Sequence, residues 1–290
     1  GYTANSRADI LALRPAPIQI SYIGYPATMG APFIDYVIAD PVLIPERQRQ
    51  HYAEKILYLP ETYQANDDTR AIADSALTRL DLGLPEKGFV FCCFNNSFKI
   101  GPAEFDVWMR LLGDVEGSVL WLLEANRWVQ HNLRTEATKR GIDPGRLVFA
   151  ARMAHGDHLA RLRHADLFLD CFTCNAHATA SDALWAGVPV LTVPGEGFAA
   201  RVGASVTQAV GLSELVASTR DAYEQIALDL ALSPALLAAI RGKLAANRKT
   251  APLFDSARFT RHIEAAYELT LDRHRNGLDP DHISVPRLPA

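Results

Sequence analysis

The stretch from Leu167 to Pro194, LFLDCFTCNAHATASDALWAGVPVLTVP, constrains the fold of this chain more than any other. It has the pattern of an apolar strand over Leu167–Asp170, a loop of small residues, a short helix over Thr179–Trp185 and a second strand over Val190–Val193. Strands that are apolar on both faces are typical of parallel sheets covered by helices. The stretch therefore predicts one unit of an open parallel α/β sheet.

The loop from Thr173 to Thr179, just before this predicted helix, is a candidate anion site. The first backbone N–H groups of a helix have no partner within it, and ligands of parallel sheets bind at the carboxyl ends of the strands. A phosphate at this helix start is one interpretation. The other is structural only, with Thr179 capping the helix and Asp182 completing a capping box. These residues alone leave both open.

The rest of the chain alternates in the same way, which favours a doubly wound parallel sheet of Rossmann-like type. The predicted pairs are strand Phe89–Phe94 with helix Pro102–Leu112, strand Val119–Leu123 with helix Arg127–Lys139, and strand Leu147–Ala150 with helix Asp157–His164. Further helices are predicted over Ala200–Ala209, Ala222–Leu232, Pro234–Ala246 and Ser256–Arg273. Before residue 80, a short helix is predicted over Arg7–Leu13, and strands over Ile18–Tyr22, Ile34–Ala39 and Lys55–Leu59.

Composition and charge narrow the function classes. The chain has 290 residues, 49% of them hydrophobic and 21% charged, which is typical of a globular protein of about two domains. The formal net charge of -4 argues against a nucleic-acid partner held by bulk electrostatics. No apolar run is long enough to cross a bilayer, so we expect no membrane partner and a cytoplasmic location.

The four cysteines do not favour a metal site. Cys171 and Cys174 have the spacing of a redox or metal pair, but Cys92 and Cys93 are adjacent and point to opposite faces of a strand. We therefore expect no metal, and unpaired cysteines in a reducing, intracellular compartment.

Polar residues follow two other predicted strands. Lys99 can place its ammonium on a phosphate, and Asn96 can donate a hydrogen bond beside it. His155, His158 and Arg161 step by three and so share one helical face, where a planar heterocycle can stack while backbone groups near Met153 read its edge. The alternatives are a solvated surface lysine and an exposed basic face.

Two common nucleotide motifs are missing from the sequence. No GxGxxG follows a strand, and there is no GxxxxGK[ST] loop, so dehydrogenase and P-loop interpretations are unsupported. The remaining interpretation is a site for a nucleotide diphosphate, which would be held by a helix start, one lysine and amide or hydroxyl donors. Such a site suits a nucleotide-sugar.

A series of motifs then resembles the catalytic region of the O-GlcNAc transferase family, which includes the SPINDLY-type protein fucosyltransferases. In chain order they are LRPAPIQ at Leu13–Gln19, Gly24-Tyr25-Pro26 with Gly30, Phe94-Asn95 with Lys99-Ile100, Cys174-Asn175 with His177, Asp182 with Leu184-Trp185-Ala186-Gly187, and Pro194-Gly195-Glu196 with Arg201-Val202. The resemblance runs over almost the whole chain. It implies a GT-B glycosyltransferase, with two Rossmann-like lobes and a nucleotide-sugar between them.

The resemblance also implies roles for the loop residues. Lys99 and Asn96 would hold the diphosphate, with Lys99 stabilising charge on the departing UDP; the family usually has glutamine where Asn96 stands. His158 and Arg161 would flank the uracil. His155 stands where the animal enzymes carry a lysine near the ribose.

At the helix start, the resemblance assigns the phosphate to His177 and Thr179, and to the backbone N–H of Ala178, which replaces a threonine. Asp182 would accept from the ribose hydroxyls. Ala27 and Met29 depart from the family's commoner Gly and Ser in the cleft loop, where the sugar and acceptor are recognised.

The domain organisation follows from the same resemblance. Residues 1–83 would be the later part of the N-terminal catalytic lobe, residues 84–255 the nucleotide-sugar-binding lobe, and residues 256–290 a helix and tail that cross back to the first lobe. Apart from the resemblance, the Pro- and His-rich composition of Asn276–Ala290 predicts a tail that drapes over the surface. The family's candidate base histidines precede the Gly-Tyr-Thr motif, which is residues 1 to 3 here. They and the TPR repeats that recruit proteins would belong to a missing N-terminal segment.

The sequence therefore predicts an inverting transfer of N-acetylglucosamine from UDP-GlcNAc to Ser or Thr hydroxyls of proteins, with no cofactor and no metal. The partners would be the UDP-sugar, a protein or peptide acceptor and the N-terminal segment. The alternatives are a GDP-fucose-dependent protein O-fucosyltransferase, a non-catalytic nucleotide-sugar-binding protein and a GT-B sugar-nucleotide epimerase.

Overall fold

A computed structural model describes residues 2–288. The described residues form nine strands, in chain order β1 (Ile20–Ser21), β2 (Tyr36–Ala39), β3 (Lys55–Tyr58), β4 (Val90–Cys93), β5 (Val119–Leu123), β6 (Leu147–Ala150), β7 (Leu167–Leu169), β8 (Val190–Leu191) and β9 (Ile283–Ser284). They also form nine α-helices, α1 (Ala8–Ala12), α2 (Pro102–Asp114), α3 (Arg127–Lys139), α4 (His155–Leu162), α5 (Ala178–Ala186), α6 (Val202–Ala209), α7 (Arg220–Leu232), α8 (Pro234–Asn247) and α9 (Ser256–Arg275).

The described residues divide into two compact units. Unit 1 contains the chain up to Asp68, Gly197–Ala199 and the chain from Ala251 onward; unit 2 contains Thr69–Glu196 and Ala200–Thr250. We placed the first boundary after residue 83, so the structure differs over residues 69–83. These residues contact unit 2: the Ala73 N–H donates to the Gly156 carbonyl (3.1 Å), and Arg79 pairs with Asp166 (2.8 Å).

Unit 1 contains a four-stranded parallel sheet in the order β1-β2-β3-β9. Its apolar side chains, among them Ile38 and Leu57, pack against Phe259 and Ala266 of α9. The burial of one face of a long helix against the sheet explains why α9 belongs to this unit.

The position of the C-terminal tail differs from our prediction. We expected it to drape over the surface, but β9 joins the sheet as an edge strand, with Leu57 opposite Ile283. The Val285 N–H donates to the Tyr58 carbonyl (2.9 Å), and the Ile56 N–H donates to Nδ1 of His282 (2.9 Å). Ile283 and Val285 have the period-two spacing of a strand with one buried face.

Unit 2 contains a five-stranded parallel sheet in the order β6-β5-β4-β7-β8. Strands β5 and β6 follow β4 on one side of the sheet, and β7 and β8 lie on the other side of β4. This reversal makes a topological switch point between β4 and β7, the place where open α/β sheets bind ligands. The large side chains of Trp108, Trp121 and Tyr223 fill the core. The predicted doubly wound α/β class is confirmed for this unit.

Most predicted elements of unit 2 are present with ends shifted by one or two residues. Two shifts matter for the site. Helix α4 begins at His155, where we predicted Asp157, and α5 begins at Ala178, where we predicted Thr179. His155 and Ala178 therefore occupy the first position of their helices.

Within residues 2–288, no single helix has both the length and the hydropathy of a membrane span. Only α7 and α8 taken together pass that test, and they are bent by 102° relative to one another.

Candidate functional site

Two loops of unit 2 meet at the switch point between β4 and β7. The first follows β4 and carries Asn95, Asn96 and Lys99; the second follows β7 and leads from Asp170 to the start of α5. Because β4 and β7 are hydrogen-bonded neighbours, with Cys92 opposite Phe168, the loops begin side by side. The sheet thus brings together residues about 76 positions apart.

Asp170 organises the second loop. Its carboxyl is fully buried, and Oδ1 accepts hydrogen bonds from the N–H groups of Cys171 (2.9 Å) and Ala176 (2.6 Å), while Oδ2 accepts from the Thr192 hydroxyl (2.8 Å). A Cβ at Gly203 would lie 2.2 Å from Oδ2, so only glycine fits beside the carboxyl. Burial raises the pKa of Asp170 to about 7, although these hydrogen bonds oppose the increase.

Asn95 connects the two loops, whereas the residue predicted to bind the diphosphate beside Lys99 is its neighbour, Asn96. Asn95 is 2% exposed; its Oδ1 accepts from the Thr179 hydroxyl (2.7 Å), and its Nδ2 donates to Asp170 Oδ1 (3.4 Å). Asn96 is exposed, and its side chain does not cap the short turn Ser97–Lys99 that follows it. Asn95, rather than Asn96, is thus the asparagine that reaches the switch point.

Lys99 makes the second connection between the loops. Its ammonium donates to the Asn175 carbonyl (2.7 Å). Asn175 is buried and fixed in turn, because its Nδ2 donates to the Cys171 carbonyl (2.7 Å) and its Oδ1 accepts from the Gly203 N–H (3.1 Å). The lysine is therefore held beside the loop that leads into α5, with two further ammonium hydrogens left for other acceptors.

The start of α5 rules out the capping-box alternative. The N-cap position belongs to His177, whose side chain makes no capping hydrogen bond, and Ala178 follows as the exposed first helical residue. Thr179 lies inside the helix and bonds Asn95, while Asp182 bonds neither Thr179 nor the helix start but pairs with Arg70 and His155. Both residues are therefore engaged with other elements of unit 2.

A cavity of about 280 Å³ lies next to these loops. It is lined by Phe94, Leu123, Arg152, Met153, His155, His158, Arg161, Thr179 and Asp182. The predicted residues Met153, His155, His158, Arg161, Thr179 and Asp182 are thus brought together. The predicted residues Asn96, Lys99, His177 and Ala178 are outside this lining. Phe94, Leu123 and Arg152 were missed, although each is within two residues of the carboxyl end of a strand, a signal that the sequence contained.

His158 is held as a neutral imidazole in this cavity. Arg161 is only 3% exposed; its Nε donates to Nδ1 of His158 (3.1 Å) and its Nη1 donates to the Ala151 carbonyl. Burial, with the charge of Arg161 as a second cause, lowers the pKa of His158 to about 4. Since Nδ1 accepts, the proton of the neutral ring is on Nε2. Phe94 packs edge-on against the ring, with centroids 5.0 Å apart.

Asp182 lies between the side chains of Arg70 and His155. Its Oδ1 is 2.7 Å from Nη1 of Arg70 and 3.2 Å from Nε2 of His155. The side chains of Arg70 and Asp182 are 12% and 13% exposed, whereas that of His155 is 55% exposed. Arg70 was missed by sequence reasoning because nothing in the polar segment around it indicates a partner 112 residues away.

The cysteines form no metal cluster in the described part of the chain, where no group of three or more His, Cys, Asp or Glu residues is arranged around a common point. Cys93 and Cys171 are both buried, with their sulfurs 3.8 Å apart, and Cys174 is partly exposed.

Comparisons with known proteins place this chain in a family. The sequence model described as Glycosyl transferase family 41 matches residues 1–76 and 73–263. A probable UDP-N-acetylglucosamine–peptide N-acetylglucosaminyltransferase SEC of Arabidopsis thaliana is 38% identical over 98% of this chain and 30% of its own length. A protein of Petunia hybrida with the same probable activity, SPINDLY, is 32% identical over 96% of this chain and 30% of its own length.

The fold agrees with that of a solved relative. An O-GlcNAc transferase mutant from Thermobaculum terrenum matches with a TM-score of 0.80 and 29% identity, over 92% of this chain and 51% of that one. The GT-B fold class implied by the motifs is confirmed by this match and by the two parallel sheets. The chain spans about 30% of the length of the two curated relatives. On the family match and these identities, the chain belongs to glycosyl transferase family 41, as a catalytic region of the O-GlcNAc transferase and SPINDLY type.

Proposed function

We propose that the protein to which this chain belongs transfers N-acetylglucosamine from UDP-GlcNAc to Ser or Thr hydroxyls of proteins, with inversion at the sugar carbon. The observation that carries the proposal is the cavity at the switch point, where a neutral His158 and the carboxylate of Asp182 lie beside the loop that holds Lys99. The names of the relatives, which specify a UDP-GlcNAc donor and a peptide acceptor, support the same reaction.

The cavity suits the nucleoside half of the donor. Phe94 and the imidazole of His158 provide flat surfaces, and Nε2–H of His158 is a donor that does not carry a full charge at neutral pH. Asp182 lies at another wall of the same cavity and can accept from ribose hydroxyls. Arg161 is too buried to cover a base itself, so its role here is to hold His158.

The diphosphate would lie where Lys99 and α5 supply positive charge. The first N–H groups of α5, including that of Ala178, have no partner within the helix, and together with the ammonium of Lys99 they favour an anion. When the acceptor hydroxyl attacks the sugar carbon, the bond from that carbon to the diphosphate oxygen breaks and negative charge grows on UDP. Hydrogen-bond donors that already point at the oxygen atoms where this charge develops lower the free-energy barrier of the transfer. We assign no essential metal and no cofactor to this step.

The proton of the acceptor hydroxyl has no receiver among the residues assigned here. We infer that the base, and TPR repeats that bind protein substrates, are supplied by a part of the protein that precedes residue 1. The relatives are about three times as long as this chain, which supports this inference. A cytoplasmic location belongs to the same proposal, supported by four cysteines that form no disulfide.

Donor identity can be tested by calorimetric titration of the full protein with UDP and with GDP. We expect UDP to bind and GDP to bind at least about 10-fold more weakly, because the cavity would read one base edge. Tighter binding of GDP would contradict the UDP-GlcNAc assignment and favour the fucose donor.

The reaction itself can be followed with UDP-GlcNAc carrying a labelled sugar and a Ser- or Thr-containing protein acceptor. We expect label on the acceptor, in a linkage to the hydroxyl oxygen. A second sugar nucleotide formed without acceptor would indicate an epimerase instead, and binding with no reaction of either kind would indicate a nucleotide-sugar-binding protein.

A further inference from the structure

The segment from Thr69 to Asp74 contacts both helices that line the cavity. The Arg70 carbonyl accepts from the indole N–H of Trp185 on α5 (3.1 Å). The Ala73 N–H donates to the carbonyl of Gly156 on α4 (3.1 Å), and a Cβ at Gly156 would lie 3.5 Å from the Ala71 carbonyl oxygen. The segment is thus attached to α4 and α5 by backbone groups, which fixes the place from which Arg70 extends.

The Arg70 side chain is fixed as well. Its Cζ lies 5.4 Å from the ring centroid of Trp185, and its Nη1 is 2.7 Å from Oδ1 of Asp182. Trp185 is held from another direction by Arg248, which donates to the Trp185 carbonyl (2.6 Å) and lies 5.8 Å from the same ring. A guanidinium that lies over an indole ring and pairs with a carboxyl group is restricted in orientation, so the direction of its bond to Asp182 is set before any ligand binds.

The pairing leaves one oxygen of Asp182 for a ligand. Arg70 and His155 both contact Oδ1, and within residues 2–288 Oδ2 accepts no hydrogen bond. Asp182 lines the cavity, and a carboxyl group held at one oxygen by an ion pair can accept a hydrogen bond from a hydroxyl at the other oxygen. His155 is the more exposed of its two partners, so Arg70 is the one that holds the carboxylate in a low-dielectric setting.

We propose that Arg70 is a positioning residue for recognition of the nucleotide ribose. It acts through Asp182, holding the carboxyl group turned so that Oδ2 meets the ribose hydroxyls. The inference rests on the proposed donor, since it takes the ligand of the cavity to be a nucleoside diphosphate. It adds to the site a residue outside all the motif loops, contributed by the segment that precedes β4.

Binding of UDP and of 2′,3′-dideoxyuridine 5′-diphosphate to the full protein separates this role from a general structural one. We expect Arg70→Gln to weaken UDP binding about 10-fold, as loss of an outer partner commonly does, while affinity for the dideoxy nucleotide, which has no hydroxyls for Asp182, stays within about 2-fold of wild type. Arg70→Lys keeps the charge but not the stacked plane, so we expect a smaller loss, again for UDP alone.

Arg110→Gln is the matched control, because Arg110 pairs with Glu224 on α7 and does not line the cavity. We expect its affinity for both nucleotides to equal that of wild type. Equal losses for both nucleotides in the Arg70 variants, or unchanged UDP binding in folded Arg70→Gln, would overturn the positioning role. If the wild-type protein binds no UDP, the proposed function itself fails, and that result is distinct from failure of the Arg70 variants.

Discussion

Lys99 is the residue on which the proposed chemistry depends most. Its ammonium donates to the Asn175 carbonyl and so lies against the loop that precedes α5. In Lys99→Ala the charge that would meet the departing diphosphate is lost, while no buried group is removed. We expect turnover of UDP-GlcNAc to fall about 100- to 1000-fold, the usual cost of removing one donor from a developing anion. Steady-state rates with a saturating protein acceptor measure this.

Lys139→Ala provides the control for the Lys99 variant, because Lys139 pairs with Glu136 on the exposed face of α3. Its turnover should match wild type, and both variants should melt at close to the wild-type temperature. Near-normal rates in Lys99→Ala would disprove the leaving-group role.

At the scale of single residues, the sequence indicated the two loops that the structure brings together, but not the contacts that each side chain makes. Asn95 and Asn96 are chemically identical neighbours, and only the turn after Cys93 decides that Asn95 is buried against Thr179 while Asn96 faces solvent. Arg161 was predicted to flank the uracil together with His158; in the structure it is 3% exposed and donates to Nδ1 of His158, contacts that the sequence did not indicate. Such choices depend on backbone direction over two or three residues, which residue type does not encode.

At the scale of elements, the loop between β7 and α5 depends on a buried carboxyl with an unusual pKa. The pKa of Asp170 in the folded chain is about 7, raised from 3.8 by burial. Between these values the folded state holds a proton that the unfolded state has lost, so this group's contribution to stability decreases as pH rises through the window.

Asp170→Asn should therefore remove hydrogen bonds and also the part of the pH dependence of stability that comes from this carboxyl. The amide cannot accept at both positions, so we expect a loss of about 1–3 kcal/mol in the free energy of unfolding. We expect the difference between wild type and variant to be larger at pH 4.5 than at pH 7.5. Urea unfolding at the two pH values measures it.

Asp229→Asn is the matched control for that experiment, since Asp229 is exposed on α7 and its side chain accepts from Gln225 one turn earlier (2.8 Å). We expect its effect on the free energy of unfolding to be small at both pH values. A difference for Asp170→Asn that grows with rising pH would show that the carboxyl is not held protonated by burial.

The elements themselves were largely predictable, and the exceptions have a physical explanation. Strands such as β5 and helices such as α3 have the expected bounds, because a strand buried on both faces leaves a continuous apolar run and an amphipathic helix leaves a periodic pattern. Strand β9 has two residues, which are too few for a sequence pattern to predict a strand. Its position is set by pairing with the exposed edge of β3, which lies far earlier in the chain. Tertiary pairing, rather than local preference, decides such a segment.

At the scale of the whole molecule, the first sheet combines strands from opposite ends of the sequence. Val285 is buried beside β3, and its N–H pairs with the Tyr58 carbonyl. Val285→Ala removes two buried methyl groups, which should cost about 2 kcal/mol of unfolding free energy. Thermal or urea unfolding of the full protein tests this.

Leu278→Ala is the control for Val285→Ala, because Leu278 lies in the same tail but is exposed. We expect its stability to be unchanged. If Val285→Ala were equally neutral, the tail would not contribute to the sheet in solution.

The position of β9 has a practical consequence for handling this protein. It pairs with Leu57 and Tyr58 at the outer edge of β3, where peptide groups would otherwise be free to pair with another strand. Uncovered rows of this kind recruit strands from other molecules. A version of the protein truncated before Ile283 would lose few residues, but it would expose the edge of β3. We therefore expect it to aggregate during purification.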